Sequence, residues 1–87
     1  MTYIVSIFAS DASRQKVYKA LREYASSCPI HPNCWAVSTE CTAIQIRDKI
    51  RPLLINGEGV FVIRSGTEAA WLSIYGEDND KWLKEHL

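Results

Sequence analysis

The chain opens with Thr2-Tyr3-Ile4-Val5-Ser6-Ile7-Phe8, a nearly unbroken apolar run of β-branched and aromatic residues, which predicts a strand buried on both faces and central in a sheet. Ser10 or Asp11 then supplies an N-cap. Val17, Ala20, Leu21, Tyr24 and Ala25 follow at the spacing of one helical face, predicting a helix over about 11–26. Ser26-Ser27-Cys28-Pro29 closes that helix, because the residue before a proline is pushed out of the α region. Two prolines flank Ile30-His31, so a strand there is short or at an edge, with a turn at Pro32-Asn33. Cys34-Trp35-Ala36-Val37-Ser38 reads as a strand with Trp35 and Val37 on one face.

Thr42 and Gln45 have the spacing of a capping box, and Ile46, Ile50, Leu53 and Leu54 continue as a helical stripe distorted at its end by Pro52. Asn56-Gly57-Glu58-Gly59 is a turn, followed by the strand Val60–Arg64. Ala69–Tyr75 can form one more strand, and acids at 77, 78 and 80 precede a short terminal helix over about 78–86. The order predicts an α+β fold, ferredoxin-like βαββαβ, with an extra C-terminal strand and short helix and with both main helices on one sheet face. At 87 residues the chain has room for one hydrophobic core, so residues 1–87 are expected to form a single domain.

Ten basic and ten acidic side chains cancel, and the apolar content is that of an ordinary globular protein. This excludes a disordered tail and a strongly basic nucleic-acid module. The balance is uneven along the chain: residues 1–55 carry seven basic and four acidic groups, residues 56–87 three and six. Such a division suits self-association as well as an anionic partner. No apolar run approaches the roughly 18 residues of a membrane span. The first ten residues lack a basic stretch and a cleavage site and read as mature structure. Three cysteines are too few for a secreted disulfide scaffold, which points to a reducing cytoplasm.

Several groups of side chains invite chemistry, and each has a plainer account. Cys28, His31, Cys34 and Cys41 offer thiolate and imidazole ligands suited to zinc, but the spacing is not that of a common finger or ribbon. Buried thiols acting as small hydrophobes account for them more simply. Arg14, Lys16, Lys19 and Arg22 on the first helix, with Arg47, Lys49 and Arg51 on the second, would meet phosphates if they share an exposed face, yet a solvated surface has the same pattern. Trp35, Trp71, Tyr75 and Trp82 could stack on bases, while strand positions favour core and interface roles for them. Gly57-Glu58-Gly59 precedes a strand and so lacks the helix N-terminus that phosphate cradles need.

Trp35-Ala36-Val37, the Thr42–Ile50 helix with Ile46-Arg47-Asp48, the strand around Val60-Phe61-Val62-Ile63, Ala70-Trp71-Leu72 and Lys81-Trp82-Leu83-Lys84 together resemble the small bacterial proteins labelled SinR-like. These are similar in fold to the small subunit of the CRISPR adaptation complex and to VapD-type toxins. The resemblance implies a ferredoxin-like homodimer whose last strand joins the partner's sheet or the dimer edge. In members proposed to be metal-dependent nucleases, a Tyr-Asp pair ends the first strand and holds a divalent metal across the dimer axis. Ile7-Phe8 stands there in this chain, and a phenylalanine cannot coordinate a hard cation. Asp11 is the remaining carboxylate nearby, where capping the first helix competes with catalysis.

The expectation is therefore a homodimeric, non-catalytic binding or scaffolding protein, without a cofactor, whose partner is nucleic acid or another protein. A nuclease using Asp11 with Mg or Mn, and an antitoxin-like or regulatory interaction module, are the alternatives.

Overall fold

The computed structural model describes residues 1–66, 68–70 and 78–87. Side-chain alternation organises everything around the first strand, β1 (Thr2–Phe8). Tyr3, Val5 and Ile7 point to one face and are buried, whereas Ser6 and Phe8 on the other face are exposed. The strand is central, but its apolar run is not buried on both faces as the sequence predicts. Phe8 is 75% exposed.

After β1 come α1 (Asp11–Leu21), β2 (Ser26–His31), β3 (Cys34–Ser38), α2 (Ala43–Ile50), a 3₁₀ turn over Arg51–Leu53, β4 (Gly59–Arg64) and α3 (Asn79–His86). The result is a small α+β fold whose four strands lie in the order β2-β3-β1-β4, every neighbouring pair antiparallel. β1 therefore runs parallel to β2 with β3 between them, and β3 parallel to β4 with β1 between them.

The helix α1 ends at Leu21, five residues before the expected boundary. The amides of Glu23 and Tyr24 turn back to the carbonyls of Ala20 and Leu21 at 3.2 and 3.3 Å, tightening the exit. Ser26–His31 is drawn into pairing with β3, with a bulge between Pro29 and His31. Pro29 is tolerated because β2 is an edge strand and its missing N–H breaks no second ladder. Local helix propensity at Glu23-Tyr24-Ala25 loses to this pairing. Elsewhere local chemistry is decisive: Ser10 caps α1 by accepting from the Ser13 amide, and Thr42 and Gln45 form a complete capping box on α2. Pro52 sits in the 3₁₀ turn, where its ring ends α2. Gly57 takes a positive φ of 90°, which the turn into β4 requires.

Two cores result. Val17 and Leu21 of α1 and Ile46 and Ile50 of α2 pack on Tyr3, Val5, Ile7, Trp35 and Val37, so both helices cover one sheet face. On the other face Leu83 of α3 packs with Cys28 and Ala36, flanked by Ile4, Ile30 and Trp82. Polar contacts hold α3 there, among them Asn79 Nδ2 donating to the Pro29 carbonyl (2.7 Å), Trp82 Nε1 to Ser26 Oγ (2.8 Å) and Thr2 Oγ1 to the His86 carbonyl (3.0 Å). Of the expected strand Ala69–Tyr75, Ala69 and Ala70 are irregular and Trp71–Tyr75 lies outside the described residues. No described helix is long and apolar enough to cross a membrane.

Candidate functional site

Among the described residues, α3 covers β2 and β3 on its sheet face and reaches the start of β1 at Thr2 and Ile4. The register pairs Ile4 with Ile63, Ser6 with Phe61 and Phe8 with Gly59, which sets Phe8, Phe61 and Ile63 on adjoining strands, on a side that no described helix covers. Phe8, Phe61 and Ile63 are 75%, 62% and 51% exposed, an apolar patch around Ser6. Shallow clefts flank Phe61 on both sides of β4: one of about 240 Å³ runs along Ser6, Phe8 and Gly59, and another of about 220 Å³ lies against Ile44 and Arg47.

Sequence reasoning missed this patch because it treats β1 as buried throughout. The available signal was Ser6, a polar residue of the same parity as Phe8 inside an apolar strand.

The seven basic candidates divide into three sets. Lys16, Lys19 and Lys49 line one cleft of about 310 Å³ between α1 and the end of α2, together with Glu23. Arg47 and Arg51 line a second of about 310 Å³ on the β4 side of α2. Lys49 Nζ binds Glu23 at 2.9 Å and lies 4.6 Å from the Tyr24 ring centre. That ammonium, through its hydrogen bond and its charge, holds the Glu23 carboxyl below the ordinary carboxylate value. Arg47 is paired with Asp48 at 2.9 Å. Lys16 and Lys19 make no ion pair among the described residues.

Arg14 and Arg22 stand apart from both clefts. With Tyr18 they form an i, i+4, i+8 row along α1 that faces the β2–β3 turn. Arg14 binds Asp11 (3.0 Å) and donates to Asn33 Oδ1 (2.9 Å), Tyr18 donates its hydroxyl to the Pro32 carbonyl, and Arg22 lies 5.6 Å above the Trp35 ring. The Tyr18 and Trp35 rings stack with centroids 5.2 Å apart. The Nε of Arg14 and the indole Nε1 of Trp35 are buried with no hydrogen-bond partner among the described residues.

Asp11 is the first residue of α1, its carboxylate exposed and held by Arg14, while Ser10 does the capping. The side chain of Phe8, at the end of β1, points away from the helical layer.

Cys28, His31, Cys34 and Cys41 do not converge. Cys28 sits under α3, Cys41 packs against the helical core on the opposite side of the sheet, and His31 is exposed at the turn. Among the described residues no three His, Cys, Asp or Glu side chains are grouped to hold a metal ion. Burial pushes the Cys28 thiol up to about 11 and raises that of Cys34, which makes both poor nucleophiles. Trp35 is core, and Trp82 is half-buried with His86 stacked on it at 3.9 Å. Trp71 and Tyr75 lie outside the described residues.

Comparison with known protein families, with curated proteins and with solved structures finds no match to this chain.

Proposed function

We propose that the protein is a small homodimeric, non-catalytic binding or scaffolding domain of the ferredoxin-like type, which self-associates through the open part of its sheet and presents its helical layer to an anionic partner, nucleic acid first among them. The β2-β3-β1-β4 order with two interleaved β-α-β passes supports the ferredoxin-like reading. The observation that carries the function is the Phe8, Phe61 and Ile63 patch. A two-fold axis sets the residues at the centre of the interface near their own copies, so a self-complementary surface must avoid like charge there. This patch has Ser6 and Gly59 there, and the residues of β1 and β4 on that face, Thr2, Ile4, Ser6, Phe8, Gly59, Phe61 and Ile63, carry no ionisable group. With the sheet face occupied, the clefts holding Lys16, Lys19 and Lys49 and holding Arg47 and Arg51 face outward on either side of α2.

Phe8 stands where the resembling nucleases carry a metal-binding Asp, and Asp11 is paired with Arg14, which supports a non-catalytic role. Three free thiols support a reducing compartment, the cytoplasm.

A fluorescence-anisotropy titration against labelled single- and double-stranded DNA and RNA, at low and high salt and with and without Mg²⁺ or Mn²⁺, tests the binding half. Salt-sensitive binding that weakens in Lys16→Glu/Lys19→Glu, with every probe intact, is the expected result. Cleavage of a probe that is lost in Asp11→Ala would replace the proposal with the nuclease reading. No binding to any probe would leave only a protein partner.

A further inference from the structure

A second site lies on the far side of α1, independent of the sheet patch and of the lysine cleft. Tyr18, Arg22, Pro29, Pro32 and Trp35 enclose a cavity of about 90 Å³. Its walls are stiff: two prolines on one side and the stacked Tyr18 and Trp35 rings on the other. The Tyr18 hydroxyl, bonded to the Pro32 carbonyl, fixes the β2–β3 turn against the helix.

Two of the side chains that line this cavity carry donors without an acceptor. The Trp35 side chain is 4% exposed and its indole N–H has no partner among the described residues, although a buried donor ordinarily finds one. Arg22 is exposed at the mouth, rests on the Trp35 ring and is paired with no carboxylate among the described residues. The nearby carbonyls already accept elsewhere: Pro32 from Tyr18, and Pro29 from Asn79. A site whose unpartnered groups are a guanidinium and an N–H, and whose carbonyls already accept, favours a ligand that supplies acceptors.

We infer that the Tyr18–Arg22–Trp35 cavity binds a carboxylate. The guanidinium fork matches a planar carboxylate bidentately, and the second oxygen edge of the ligand reaches the indole N–H once Arg22 turns from the ring toward it. A volume of about 90 Å³ takes a carboxylate and one or two carbons and is too small for a nucleobase with its sugar. The carboxylate is free or belongs to a peptide, as an acidic side chain or as a chain terminus.

The test follows the Trp35 indole proton by ¹⁵N–¹H NMR, assigned with Trp35→Phe, while sodium acetate, an Asp-containing peptide with a blocked C-terminus, and a peptide with a free C-terminus and no acidic side chain are added separately. The expected result is a saturable shift of that proton with at least one carboxylate probe, weakened about tenfold or more in Arg22→Gln, while the indole proton of Trp82, bonded to Ser26, stays in place. The probe that binds tightest identifies the source. Arg22 is exposed, so its variant keeps the fold. An indole proton that no carboxylate moves, one that inorganic phosphate moves equally at matched ionic strength, or a shift unchanged in Arg22→Gln would each overturn the inference.

Discussion

Replacing Leu83 with Ala separates the two cores. Leu83 is fully buried against Cys28 and Ala36, in a cluster distinct from the one beneath α1 and α2. Cutting it to a methyl removes three carbons and leaves a cavity that a single short helix only partly fills by settling, a loss of about 3 kcal/mol. Other ties of α3 include the Asn79, Trp82 and Thr2 hydrogen bonds, worth about 1 kcal/mol each, and the packing of Trp82. The loss therefore falls first on the detachment of α3 and leaves the larger core standing.

Cys28 reports on it, because its sulfur lies beneath the helix, 4.0 Å from the Asn79 carbonyl oxygen, and burial holds its thiol near 11. Only the detached form reacts with an aromatic disulfide reagent at pH 8. With fast reclosure the rate follows the open population, so about 3 kcal/mol raises it roughly a hundredfold. The assay uses a background of Cys34→Ser and Cys41→Ser, with modification of Cys28 followed by mass. A rise of less than about threefold would refute the separation of the cores, as would a wild-type Cys28 that reacts at the rate of an unfolded control.

Other consequences are local. Glu58 accepts from the Ile55 amide (2.9 Å) and the Ser10 amide (2.7 Å), and these bonds bring its carboxyl from an ordinary 4.5 down to about 2. The stabilisation is complete above about 4.5 and is lost as pH falls through about 2. Glu58→Gln therefore unfolds at lower urea than wild type at pH 7, and the gap narrows at pH 3; a gap independent of pH would count against the bonds. Thr42→Ala removes one half of the capping box and costs about 1 kcal/mol in the same urea experiment, with Thr42→Ser recovering most of it. An Ile50→Ala variant, emptying a fully buried site of the main core, loses about 3 to 4 kcal/mol, several times the Thr42 effect.

Much of the architecture is legible in the chain because local signals agree with the tertiary outcome. The capping box at Thr42 and Gln45, the break at Pro52, the glycine turn before β4 and the Trp35/Val37 face all appear as the residues predict. The end of α1 is not legible. Glu23-Tyr24-Ala25 continues a helical stripe, and only the pairing of β2 with β3, a long-range event, takes those residues out of it. Pro29 read as a terminator is instead an edge-strand residue.

The candidate sites divide in the same way. Spacing alone places Lys16, Lys19, Lys49, Arg47 and Arg51 on helices, but their separation into two clefts depends on how α1 and α2 pack. The exposure of Phe8 depends on how far α3 reaches across the sheet, and Arg22 meets Trp35 only through the β2–β3 turn. The first has only the parity of Ser6 as a local sign, and the second has none.

The central claim is self-association through the open sheet, and sedimentation equilibrium of the full chain beside Phe61→Thr measures it most directly. Threonine keeps the strand preference of the site while removing about 100 Å² of apolar surface, about 2.5 kcal/mol per subunit and twice that across a two-fold interface. The account predicts a wild-type species of twice 9.9 kDa and a variant that dissociates at 10³- to 10⁴-fold higher concentration with its unfolding midpoint as a monomer little changed. A wild-type chain that stays at 9.9 kDa over the whole concentration range, or a dimer that Phe61→Thr leaves intact, would contradict it.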